Sequence, residues 1–83
     1  MNIKQIIVND DTVLIFTENP EQDIVKLVEA YTNDDAISDF GFQLGYEKPE
    51  LYEFNFLGNN YPCISLWFDN EDIPEFFKNY KVK

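Results

Sequence analysis

The sequence predicts an α+β domain in the order β-β-α-β-β-β-α, an antiparallel sheet with two helices packed on one face. Three features carry that expectation. Apolar and polar residues alternate over 40–47 and 51–56, the period of a half-buried strand. Helix-start patterns stand at Asn19-Pro20-Glu21-Gln22 and at Asp72-Ile73-Pro74-Glu75. The strands also come in runs, which favours antiparallel pairing over a parallel sheet.

Gln5–Val8 and Thr12–Phe16 are β-branched apolar runs separated by Asn9-Asp10-Asp11, a turn cluster, and read as an opening hairpin. A helix is expected from Pro20. Asn19 is its candidate cap and Gln22 can reach back to complete a capping box. Ile24, Leu27, Val28 and Tyr31 then form one apolar stripe, which stops near Thr32-Asn33. Residues 33–39 read as a connector.

From Phe40 the period switches to two, with Phe40, Phe42, Leu44 and Tyr46 on one side of a predicted strand. Lys48-Pro49-Glu50 reads as a turn, and the next strand presents Tyr52, Phe54 and Phe56 on one face. Gly58-Asn59-Asn60 reads as a three-residue loop before a last strand over about Tyr61–Phe68. The expected register pairs Tyr52 with Tyr46 and Leu66, Phe54 with Leu44 and Ile64, and Phe56 with Phe42 and Pro62. That arrangement makes one apolar row across three strands and turns Gln43, Gly45, Glu53, Asn55, Cys63, Ser65 and Trp67 to the other face. Pro62, lacking an N–H, is expected near a strand end. The chain closes with a short helix carrying Phe76, Phe77 and Tyr80, begun by the Asp72-to-Glu75 cap and ended by Lys78, Lys81 and Lys83.

Eighty-three residues make one compact acidic domain over 1–83, with a short Lys-containing tail from about residue 78. The chain has sixteen Asp and Glu against six Lys, for a formal net charge of −10, and it contains neither Arg nor His. Such a surface repels nucleic acid and anionic membrane and favours basic partners. Cys63 is the single cysteine, so no intrachain bridge forms and a cytoplasmic location is expected. The first residues lack a signal-peptide core.

Without His or Arg, the commonest acid–base group and the bidentate anion clamp are both missing, and no enzyme is expected. Cys63 lies in a strand pattern with no basic neighbour, which favours a structural thiol over a nucleophile. Asp69-Asn70-Glu71-Asp72-Ile73-Pro74 fails as a calcium loop, because Pro74 stands where the sharp-turn Gly belongs. No cofactor and no metal are expected.

The expected function is a small non-enzymatic binding protein that engages a basic surface. Its most concrete form is a nucleic-acid mimic that inhibits a DNA- or RNA-binding protein, with Asp10, Asp11, Asp34, Asp35, Asp39, Glu53, Asp69, Glu71, Asp72 and Glu75 as candidate contacts. Trp67 is the candidate aromatic contact. The alternative is a structural or homo-oligomeric domain, a homodimer for instance, that uses the sheet face around Trp67 while the acids serve solubility.

Overall fold

The computed structural model describes residues 2–33 and 44–78. Strands β1 (Ile3–Asn9) and β2 (Thr12–Thr17) lead into helix α1 (Pro20–Thr32). Strands β3 (Glu50–Phe56) and β4 (Asn59–Trp67) follow, then a 3-10 turn at Asn70–Asp72 and helix α2 (Glu75–Lys78). The four strands form one antiparallel sheet in the order β1-β2-β4-β3, so β2 and β3 run parallel with β4 between them. The α+β class, the antiparallel sheet and the two helices on one face are therefore as the sequence predicts.

The first hairpin closes on Asp10-Asp11, with Asn9 opposite Thr12. Asp10 takes φ 54°, a left-handed value that a short polar side chain tolerates. Residues 13–15 of β2 and 63–66 of β4 supply the centre of the sheet. Val13, Ile15, Ile64 and Leu66 point to the helix side, where Leu27 of α1, Phe77 of α2, Leu44, Phe68 and Ile73 complete a buried cluster.

Helix α1 has the expected bounds but a different start. The Asn19 side chain makes no cap bond; its backbone carbonyl accepts from the Gln22 and Asp23 amides at 3.1 and 2.9 Å. Pro20 removes one orphan donor and acidic Glu21 and Asp23 suit the first turn, so the expected capping box is dispensable here. The buried side of the helix runs through Pro20, Asp23 and Leu27, with Ile24 and Ala30 half-buried against the core and Tyr31 exposed.

The second hairpin departs from the expected register. Tyr52 lies opposite Cys63, Phe54 opposite Tyr61 and Phe56 opposite Asn59, a slip of three residues from the expected Leu66, Ile64 and Pro62. The cause is the turn. Leu57 and Gly58 both take positive φ, 52° and 81°, the pattern of a two-residue type I′ turn whose twist matches the flanking strands. An odd slip reverses one strand's faces relative to the other. Ile64 and Leu66 thus stay on the helix side as expected, but Leu51, Glu53 and Asn55 join them there. Tyr52, Phe54 and Phe56 lie on the opposite face, helix-free among the described residues, with Cys63, Ser65 and Trp67.

The third expected strand over 40–46 lies outside the described residues at 40–43, and residues 44–46 are not strand. They run beside the end of β4, where the Tyr46 amide donates to the Trp67 carbonyl at 2.8 Å. The expected pairing of Tyr46 with Tyr52 and of Leu44 with Phe54 is accordingly not made. Gly45, expected on the outer face of a strand, has another role. A Cβ there would collide with the Trp67 carbonyl oxygen and come within 2.8 Å of the Trp67 nitrogen, so only glycine permits this backbone approach.

At the end of the described chain α2 begins after Pro74, whose carbonyl receives the Phe77 amide at 3.1 Å, and the Asp72 carboxylate accepts a 2.6 Å bond from the Tyr46 hydroxyl. Tyr80, Lys81 and Lys83 lie outside the described residues.

Candidate functional site

On the helix-free face, β2 contributes Leu14 and Phe16 and the second hairpin contributes Tyr52, Phe54, Phe56, Tyr61, Cys63 and Trp67. The Phe16 and Phe54 rings meet edge to face at 5.7 Å, and Phe54 stacks on Phe56 at 6.4 Å. Trp67, half-buried, meets the Tyr46 ring edge to face at 5.9 Å. Continuing the register one step past Ile15 and Ile64 puts Phe16 opposite Cys63. The small thiol is fully buried, and its Sγ donates to the Tyr52 carbonyl at 3.3 Å. Burial pushes its pKa up to about 11, slightly offset by a backbone hydrogen bond from Phe54. Its proton is thus held more tightly than that of an exposed cysteine, as apolar surroundings dictate.

The β3–β4 hairpin projects as an arm. Pairing of β2 with β4 stops at Ile15 and Ile64, whereas β3 and β4 stay paired out to Phe56 and Asn59. The stop has a local cause: backbone groups of even-numbered β4 residues turn toward β2, as the Phe68 amide donating to Asp11 demonstrates, and Pro62 has no N–H to offer there. Beyond that point the arm bears Phe56, 53% exposed, Tyr61, 44%, and Leu57 at the tip, 84%, with Tyr52, 51%, nearer its base. Asn55 and Asn60 tie the two strands by a 2.9 Å side-chain bond. An arm of two strands is marginal by itself, so three exposed apolar side chains on it are costly unless something covers them.

The sequence-predicted acids fall into separate groups. Asp10 and Asp11 sit on the first hairpin's turn, and the Phe68 amide reaches the Asp11 carbonyl at 2.8 Å, which brings Asp69, Glu71 and Asp72 to the same end of the sheet. Trp67 pairs with Thr12 at that end. The Tyr46 phenol is held above its ordinary pKa, first by its bond to Asp72, then by desolvation and by the charges of Asp72 and Asp69.

Glu53 is not part of this group: it pairs with Pro62, five residues up β4 from Trp67, about 17 Å away at the usual strand rise. Glu75 begins α2. Asp34, Asp35 and Asp39 lie outside the described residues. Among the described residues no three His, Cys, Asp or Glu side chains converge as metal ligands, and no helix is long and apolar enough to cross a membrane.

Two contributors were missed by sequence reasoning. Leu57 was read as the end of a strand because an apolar residue gives no turn signal; counting two residues between the alternating runs, with Gly58 second, would have pointed to it. Asp23 on α1 is buried and was not singled out from the sequence. No family model matches the chain, and neither the curated proteins nor the solved structures contain a match, so its function has to be argued from these surfaces.

Proposed function

We propose that this protein is a non-enzymatic binding module that engages a basic surface of another protein through the exposed aromatic hairpin and the carboxylates around the sheet. The single observation that carries the reading is the β3–β4 arm, where Tyr52, Phe56, Leu57 and Tyr61 stay exposed in a chain of net charge −10. Aromatic side chains supply contact area and surrounding carboxylates supply steering and partner choice.

The most concrete form of the partner is a DNA- or RNA-binding protein whose groove accepts the acidic end formed by Asp10, Asp11, Asp69, Glu71 and Asp72 in place of phosphates. Free, buried Cys63 fits a reducing cytoplasm. The second reading is self-association through the face around Trp67, and the aromatic row on the helix-free side favours it.

The test is capture from lysate at about 50 mM and about 300 mM salt, because exposed charge pairs weaken as the screening length shortens. Wild type is compared with Asp10→Lys/Asp11→Lys and with Tyr52→Ser/Phe56→Ser. A basic protein held at low salt, released at high salt and lost in both variants supports the reading, and its displacement from nucleic acid would support the mimic. Recovery of the same proteins by all three would refute it. A salt-insensitive dimer seen by sedimentation and lost in Trp67→Ala would favour self-association.

A further inference from the structure

Resting on that binding reading, we propose that the outer edge of β3 is a strand-addition site for an extended, basic segment of the partner. In a hairpin closed by a two-residue turn, the flanking pair Phe56 and Asn59 exchanges both backbone bonds, and bonded and non-bonded pairs then alternate. Glu50, Tyr52, Phe54 and Phe56 therefore direct N–H and C=O toward β4, and Leu51, Glu53 and Asn55 direct theirs outward. The Tyr46 amide bonding to the Trp67 carbonyl fixes the same phase on β4, whose odd-numbered residues turn to the β3 side. Among the described residues β3 is an edge of the sheet, so three consecutive outward donor–acceptor sets form a template for another strand.

The two edges differ. On β1 the register breaks between Ile3 and Gln5, around Lys4, and an irregular edge with a lysine on it discourages pairing. Strand β3 keeps one register over all seven residues and carries neither Lys nor Pro. Its one central charge is Glu53.

Charge selects the occupant. Two copies pairing antiparallel with full overlap would set Glu53 against Glu53 of the other copy, an unfavourable cross-strand pair between chains of net charge −10. An incoming Lys or Arg at that position reverses the sign. The alternation of faces fixes the rest: the residues flanking that cation lie on the helix-free side, beside Tyr52 and Phe54, and are best apolar. The partner segment is thus a strand with a central Lys or Arg between apolar neighbours.

The probe is acetyl-Val-Thr-Val-Lys-Val-Thr-Tyr-amide, matched to the length of β3, with a Glu-centred analogue as control, read by amide hydrogen exchange on isotope-labelled full-length protein. Binding should slow exchange at Leu51, Glu53 and Asn55 by at least about tenfold and leave Tyr52 and Phe54, already bonded to β4, unchanged. Exposed Glu53 can be replaced without loss of fold, and Glu53→Lys should reverse the preference between the two peptides by about five- to tenfold. Peptide binding without protection at those three amides overturns strand addition while leaving the binding reading intact. Three amides already protected in the free monomer, or equal affinity for both peptides, also overturn it. Salt-insensitive or absent binding of every basic ligand tried, protein or peptide, would bring down the binding reading as well.

Discussion

Replacing Leu57 should stabilise the protein, an unusual expectation for a large apolar residue. Leu57 holds φ 52°, where an L side chain crowds the following carbonyl at a cost of about 1–2 kcal/mol. Asn tolerates this geometry and Asn-Gly is the preferred type I′ pair, so Leu57→Asn removes most of that cost. The opposing loss is small. Leu57 is 84% exposed, so only about a sixth of a full leucine burial of roughly 2 kcal/mol is forfeited, about 0.3 kcal/mol. The net gain is about 1 kcal/mol, which for a domain of this size raises Tm by about 4–8 °C. Thermal and urea unfolding followed by circular dichroism read the change, with Leu57→Ala as the control that keeps the strain and loses the side chain. An unchanged or lowered Tm in Leu57→Asn, or an equal rise in Leu57→Ala, would refute the assignment of the turn and the strain argument with it. The same substitution should weaken partner capture, since it removes the most exposed apolar side chain of the arm.

Gly45→Ala should destabilise by about 1–3 kcal/mol, seen as a lower urea midpoint, because its methyl group meets the Trp67 backbone with no flexible side chain to yield. Cys63 should resist thiol reagents at pH 7–8 in the native state and react only on unfolding. Its folded pKa of about 11 lies above the unfolded value near 9, so the unfolded chain loses this proton first; stability should fall by up to about 2–3 kcal/mol between pH 9 and 11, and less steeply in Cys63→Ala. Asp72→Asn should lower the Tyr46 phenol pKa toward its ordinary value, measured by NMR titration of the ring; an unshifted titration would place the cause elsewhere. Thr17→Val should be neutral or mildly stabilising, because among the described residues the buried Thr17 hydroxyl has no hydrogen-bond partner.

The first hairpin, α1 and the inward residues of β4 were legible because each is set by a local rule. β-branched runs flank Asp10-Asp11, Pro20 opens a 3.6-residue apolar pattern, and Ile64 and Leu66 alternate with the smaller Cys63 and Ser65. The register of the second hairpin was not legible for a physical reason. A stretch reading Leu-Tyr-Glu-Phe-Asn-Phe-Leu offers two faces of similar apolar content, so alternation by itself cannot say which one is buried. The deciding information lies in the turn: the residue type of Leu57 does not announce its positive φ, and only the two-residue spacing with Gly58 second points to it.

The acids divided along the same line. Asp10 and Asp11 could be assigned to a turn from sequence, but their meeting with Asp69, Glu71 and Asp72 depends on β2 lying beside β4, a long-range pairing that no local pattern encodes.

The flipped register also ties the aromatic content to the charge. Had Tyr52, Phe54 and Phe56 pointed to the helices, the acidic surface would need no explanation beyond solubility. With those rings outward, each molecule carries an apolar face that would draw copies together, and a net charge of −10 opposes that encounter at close range. The opposition acts only against like surfaces. Toward a basic partner the same field becomes attractive, and the contact area withheld from self-association is available to it. On this argument charge and rings act as one device, and neutralising the acids should promote self-association before it lowers stability. Asp10→Asn/Asp11→Asn/Asp69→Asn/Glu71→Gln, followed by sedimentation over a concentration series, tests that order; a variant that stays monomeric to the solubility limit would show that the aromatic face needs no such guard.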